Sequence, residues 1–206
     1  WDGNFGGTQK YVKSILNPEY WPGDKIAICV CAEFGSLISE EMPEPIKTYS
    51  LGIKSGWQIL KARKRLAEIL EQVKPDIVHL HCDSPAGLLN LNLIPQSTGI
   101  VYSEHGDTIT RKKNQMVADR VWNVAAERIQ LILCNSNNSR NDLIAKYPFL
   151  TERSRVQPLC LDRVPDAPDA RPDPPVFGFV GRLAKVKRCD RLIEAARIVH
   201  QTHPQI

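Results

Sequence analysis

Leu66-Ala67-Glu68-Ile69-Leu70-Glu71-Gln72-Val73-Lys74-Pro75-Asp76-Ile77-Val78-His79-Leu80-His81 holds two periodicities in sixteen residues. Leu66, Ile69, Leu70 and Val73 stand at i, i+3, i+4 and i+7, the spacing of one helix face. Ile77 to His81 is a short apolar run, as expected of a strand covered on both sides in a parallel sheet. A helix followed directly by such a strand is half of an α/β repeat. Working outward, similar runs recur at Ile26–Cys31, Ile100–Ser103, Leu131–Asn135, Arg155–Leu159 and Val176–Val180. Helical patterns fall between them at Thr8–Asn17, at Val117, Val121 and Val124, at Asn138–Tyr147, and at Asp190–Thr202 with Leu192, Ile193, Ala196 and Val199 on one side. Strand and helix alternate, which predicts an α/β fold: a Rossmann-like parallel sheet with helices on both faces.

The chain has 206 residues, 42% hydrophobic and 24% charged, so it can bury a core, and disorder, collagen and coiled coil are excluded. The formal net charge of +4 carries no nucleic-acid signature. No apolar run reaches the roughly 18–20 residues that span a bilayer. The six cysteines sit mostly inside apolar runs and read as buried thiols, which points to a reducing, cytoplasmic setting. Residues 163–175 hold five of the fifteen prolines and no apolar periodicity, and are expected to form an extended linker. The expected organisation is therefore a Rossmann-like domain over residues 1–162, the linker over 163–175, and over 176–206 the first strand and helix of a second Rossmann-like domain.

Four motifs carry chemistry. Gly6-Gly7-Thr8-Gln9 precedes a helix, so its backbone can approach a phosphate or sugar hydroxyl at the helix N-terminus; a turn with Thr8 as N-cap is the structural alternative. Gly178-Phe179-Val180-Gly181-Arg182-Leu183 with Lys187 sets two cations beside a second helix start, a combination suited to a diphosphate or, more simply, a solvated basic loop. His105 follows an apolar strand, at the end where ligands bind in open α/β sheets. His79 and His81, alternating on one strand face, could with Asp83 and His105 ligate zinc and activate water, the signature of a metal-dependent hydrolase. The basic residues Lys61, Lys64 and Arg65, with Arg111-Lys112-Lys113, suit either a solvated face, with a Lys64–Glu68 pair, or peripheral contact with anionic lipid.

The ordered set of Gly6-Gly7-Thr8-Gln9, Pro75-Asp76-Ile77-Val78-His79-Leu80-His81, Ser103-Glu104-His105-Gly106, Cys134-Asn135-Ser136 ahead of Arg140, and Gly178-Phe179-Val180-Gly181-Arg182-Leu183 with Lys187 resembles a family 4 retaining glycosyltransferase of the two-Rossmann-domain type. The resemblance implies transfer of a sugar from a nucleotide-diphosphate sugar to a hydroxyl of a glycan or lipid-linked acceptor, with retained configuration and no required metal or other cofactor. Arg182 and Lys187 match the pair that holds the donor diphosphate, Gly6 and Gly7 the loop facing the donor, and His105 the catalytic residue near the donor sugar. Surface polysaccharide or glycolipid synthesis at the cytoplasmic face of a membrane is the implied setting. The family's first strand is expected ahead of Gly6, and its Glu-x7-Glu motif beyond residue 206, so residues 1–206 alone are expected to be inactive. A non-catalytic module that binds a glycan or a partner chain is the remaining alternative, since one fold hosts many functions.

Overall fold

The computed structural model describes residues 7–23, 27–30, 46–52, 59–81, 90–105, 119, 122–159, 176–181, 183 and 185–204. The chain divides into two units, Trp1–Asp162 and Arg163–Ile206. The first is a parallel α/β structure. Its elements run α1 (Gly7–Ile15), β1 (Ala27–Val30), β2 (Lys47–Ser50), α2 (Ile59–Val73), β3 (Ile77–Leu80), β4 (Gly99–Glu104), β5 (Leu131–Cys134), α3 (Asn137–Lys146) and β6 (Ser154–Val156). β3, β4, β5 and β6 form a four-stranded sheet in that order, every neighbouring pair parallel, while β1 and β2 pair in parallel separately. Parallel neighbours require a crossover between strands; α3 and short helical turns supply such connections within the four-stranded sheet and α2 leads into it from β2, so the sheet is flanked by helices in a Rossmann-like arrangement. Among the described residues no helix is long and apolar enough to cross a membrane.

Alternation along the strands sorts the sheet into two faces. In register, Val78 lies level with Ile100, and Leu80 with Tyr102; Tyr102 is in turn level with Ile132, and Glu104 with Cys134. These residues share one face. There Ile100, Tyr102, Ile132 and Cys134 join Leu91, Ile94, Trp122, Ile129, Leu143, Tyr147 and Leu150 in the core, with Val78, Leu80 and Leu70 packed against them. Tyr102 meets Trp122 edge-on at 5.0 Å, a geometry that aromatic quadrupoles favour. α2 buries Ala62 and Ile69 and leaves Lys64 and Arg65 exposed, as the stripe from Leu66 to Val73 predicts. Glu68 pairs with Arg65 at 3.5 Å, where a pair with Lys64 was the expectation.

The helical turn over residues 122–125 corrects the expected stripe. Val124 is 72% exposed, and the buried positions are Trp122, Ala125, Ala126 and Ile129, which have the same helical spacing in another phase. Trp122 covers Tyr102, and small alanines let the turn approach the sheet, so packing selects that phase over branched residues. Val117 and Val121 lie outside the described residues. β2 is an addition: its Lys47-Thr48-Tyr49-Ser50 has no apolar run, and it is a strand through pairing with β1.

Arginines tie the connections down. Arg140 donates to the carbonyls of Ser154 and Thr151, Arg153 to that of Ala126, and Arg128 to those of Ile94 and Pro95. Each adds a donor to carbonyl groups at or beside the connections and so pins them. Ser136 caps α3, its hydroxyl accepting from the Ser139 N–H at 3.1 Å.

In the second unit, α4 (Cys189–Thr202) forms as expected. The strand expected over Val176–Val180 does not. Residues 176–180 are irregular, with Val176 75% and Phe177 74% exposed. A strand is stable through hydrogen bonds to a neighbour, and among the described residues of this unit no second strand is present. α4 likewise leaves Leu192, Ile193, Ile198 and Val199 exposed. Residues 160–175, including the proline-rich stretch, lie outside the described residues.

Candidate functional site

The face of the sheet opposite the core carries a different chemistry. On it stand His79 and His81 from β3 and its following residue, Val101 and Ser103 from β4, and His105 just after β4. All three histidines lie at or near the carboxyl ends of their strands, the edge where open α/β sheets place ligands. His79 Nε2 is hydrogen-bonded to Ser103 Oγ at 2.8 Å, and His81 Nδ1 to His105 Nε2 at 2.9 Å. The His79 and His81 rings pack with centroids 3.9 Å apart, tilted by 38°, and the His81 and His105 rings lie 5.2 Å apart at 26°.

α1 covers this cluster. Tyr11 sets its ring edge-on to His105 at 5.3 Å and to His81 at 6.1 Å, and is itself buried with its neighbour Val12. Ser14 donates from its hydroxyl to the Tyr11 carbonyl at 2.8 Å, and Trp21 closes the far end of α1 by donating to the Ile15 carbonyl at 2.6 Å. The helix is thus held with its N-terminal residue, Gly7, one turn from the tyrosine on His105.

Burial makes the rings poor bases. His79 falls from 6.5 to about 4, first through burial and then through the charge of His105. His81 falls from 6.5 to about 2, again mainly through burial, with His79 and His105 adding repulsion. Both are therefore neutral at physiological pH, and each neutral ring has one donor and one acceptor nitrogen. On the opposite face Cys134 is buried, and its thiol is pushed up to about 11 by burial and by the nearby Glu104 carboxylate. Cys189 is only half-buried, so the expectation of buried thiols does not extend to it.

His105 and the helix starting at Gly7 are thus brought to one end of one sheet face, with His79 and His81 beside them. Gly6 lies outside the described residues, as do Arg182 and Asp83. Lys187 ends a short helical turn, Lys185–Lys187, that leads into α4, and is exposed. Arg188 follows with a left-handed backbone, φ 51°, and forms an ion pair with Asp190 at 3.2 Å. A shallow depression there is lined by Leu183, Lys185, Arg188, Cys189 and Asp190. For the zinc alternative, among the described residues no three His, Cys, Asp or Glu side chains are grouped to hold a metal ion; the ring nitrogens instead engage each other and Ser103. Tyr11 and Ser103 were not among the expected site residues. Ser103 could have been found by parity, since it alternates with His105 on β4 as His79 does with His81 on β3.

Comparison with known families agrees with the α/β fold. The model of the family described as Glycosyltransferase Family 4 matches residues 6–163. That span takes in α1, all six strands and the three histidines. No curated protein matches the chain.

Proposed function

Because the chain belongs to glycosyltransferase family 4, we propose that it serves the transfer of a sugar from a nucleotide-diphosphate sugar to a hydroxyl of a glycan or lipid-linked acceptor, with retention of anomeric configuration. In this reading the product is a surface polysaccharide or glycolipid made on the cytoplasmic side of a membrane. His105 contacts the donor sugar as the catalytic residue. Gly6 and Gly7 present backbone to the donor, and Arg182 with Lys187 binds its diphosphate through charge-assisted hydrogen bonds. Those two cations neutralise the departing nucleotide, so the reading calls for no metal.

The observation that supports the reading is the contact of Tyr11 with His105 at 5.3 Å. A helix rises about 1.5 Å per residue, so Gly7 lies roughly 6 Å along the axis from Tyr11. The orphan N–H groups and positive dipole end of α1 are therefore one helical turn from the tyrosine that packs on the imidazole. One ligand can meet an anion- or hydroxyl-binding backbone and a hydrogen-bonding imidazole together.

The test is release of nucleoside diphosphate from a panel of UDP-, GDP- and ADP-sugars by the gene product that carries this chain. His105→Ala is expected to lower transfer by at least about 100-fold, the scale on which a donor to developing charge acts. Arg182→Ala and Lys187→Ala are each expected to weaken nucleoside-diphosphate affinity by about tenfold or more, since one hydrogen bond to a charged group contributes about 1.5–3 kcal/mol. Unchanged transfer in His105→Ala overturns its role, and release of sugar from a glycan with no nucleotide sugar consumed overturns the reaction class.

A further inference from the structure

We propose that His81 is a positioning residue for His105: its Nδ1, 2.9 Å from His105 Nε2, shares one proton with that nitrogen and so holds His105 in a single tautomer and ring plane. The inference rests on the reading of His105 as the residue that meets the donor sugar.

Two imidazole nitrogens at hydrogen-bond distance admit one proton between them, because one must donate and the other accept. Whichever nitrogen carries it, a neutral His105 is left in one tautomer, Nε2–H if it donates to His81 and Nδ1–H if it accepts, since a neutral imidazole carries one N–H. The partner must itself be fixed for this to work, and His81 is. Its ring packs against that of His79 at 3.9 Å, tilted by 38°, and His79 is anchored to Ser103 on the neighbouring strand at 2.8 Å. Tyr11 packs edge-on against both rings of the pair. His81 and His105 each follow directly on a strand; the β3–β4 register that levels Leu80 with Tyr102 puts His81 at the level of Ser103 and His105 two residues farther along the same face, within reach of the His81 ring. The same logic operates wherever a second group orients a histidine that does chemistry: losing the orienting partner leaves the ring present and its tautomer wrong.

Side-chain 15N spectra of the full chain read the lock directly. At pH 7 the wild type is expected to show His105 as one pyrrole-type and one pyridine-type nitrogen, with a 15N–15N coupling across the hydrogen bond to His81 Nδ1. His81→Phe keeps a ring in the stack and removes the nitrogen, so the two His105 resonances are expected to move toward an averaged pair. His81→Asn places an amide where Nδ1 was and is expected to restore the split. Averaged His105 resonances in the wild type overturn the proposal, as does a split unchanged in His81→Phe or lost in His81→Asn. If His81→Phe does not fold, the wild-type coupling and the His81→Asn spectrum decide. In transfer assays His81→Phe is expected to lower kcat about tenfold or more with KM within about twofold, and His81→Asn to recover most of the loss; equal losses in both variants overturn positioning. Unchanged transfer in His105→Ala with the coupling intact faults the proposed function and leaves the proton-sharing pair standing.

Discussion

Acidification from pH 7 to pH 5 should weaken the fold through His79 and His81, and replacing both rings should remove that sensitivity. Each ring titrates at 6.5 when free and is held down to about 4 and about 2 in the folded chain. Because the folded state disfavours the charged ring, it binds fewer protons than the unfolded chain below pH 6.5. Stability is thus full above about pH 7 and declines as pH falls from 6.5. The His79 contribution stops changing once its folded form also protonates near pH 4, and that of His81 continues toward pH 2. At pH 5 the unfolded chain gains RT ln(1 + 10^1.5), about 2 kcal/mol for each ring. Both rings keep some solvent contact, so the pair together costs about 2–4 kcal/mol. With a urea m-value of about 2 kcal/mol/M, the midpoint should drop by about 1–2 M. The control is the double variant His79→Gln with His81→Asn, whose amides stand where Nε2 and Nδ1 were and do not titrate. Urea titrations at pH 7 and pH 5 should show the wild type losing about 2–4 kcal/mol more than this variant. Parallel declines would refute the reasoning.

Leu150 is fully buried in the core, so Leu150→Ala should destabilise the chain by about 2–5 kcal/mol, read as a lowered urea midpoint at unchanged slope. Ser136→Ala should cost about 1 kcal/mol through the lost cap of α3, and Ser136→Asp should restore it, since an aspartate oxygen also accepts the Ser139 N–H. Iodoacetamide at pH 8, followed by peptide mass spectrometry, should modify half-buried Cys189 well before Cys134, whose thiol is buried and pushed up to about 11; faster labelling of Cys134 would contradict its placement.

How much of this was legible in the chain depends on which interaction decides each element. α2 and β3 were readable because a stripe from Leu66 to Val73 and an apolar run from Ile77 are local properties. β2 was not, since Lys47-Thr48-Tyr49-Ser50 becomes a strand only by lying beside Ala27–Val30. The run Val176–Val180 shows the converse: apolar residues with strand propensity and no partner strand among the described residues remain irregular. Between residues 117 and 129 two helical phases overlap, and the choice of Trp122, Ala125, Ala126 and Ile129 over Val124 belongs to the contact with Tyr102.

The site divides in the same way. Alternation alone puts His79 with His81, and Ser103 with His105, but says nothing of which rungs are level. Register supplies that, and it is set away from the site: the Gly99 N–H donates to the Asp76 carbonyl at 2.8 Å, and the Thr98 hydroxyl to the Pro75 carbonyl at 2.9 Å. Glycine is not sterically required at this start of β4, because a Cβ at Gly99 would lie 3.6 Å from that same carbonyl, in ordinary contact; backbone pairing holds the position. A slip of one residue would turn His105 to the core face and bring Glu104 out beside His81. The cost of such a slip is the core itself, because Ile100 and Tyr102, both almost fully buried, would turn out with it. The core on one face of the sheet therefore enforces the pairing of His81 with His105 on the other, which is why a hydrogen bond between two residues just past the strand ends can be held as firmly as a strand contact.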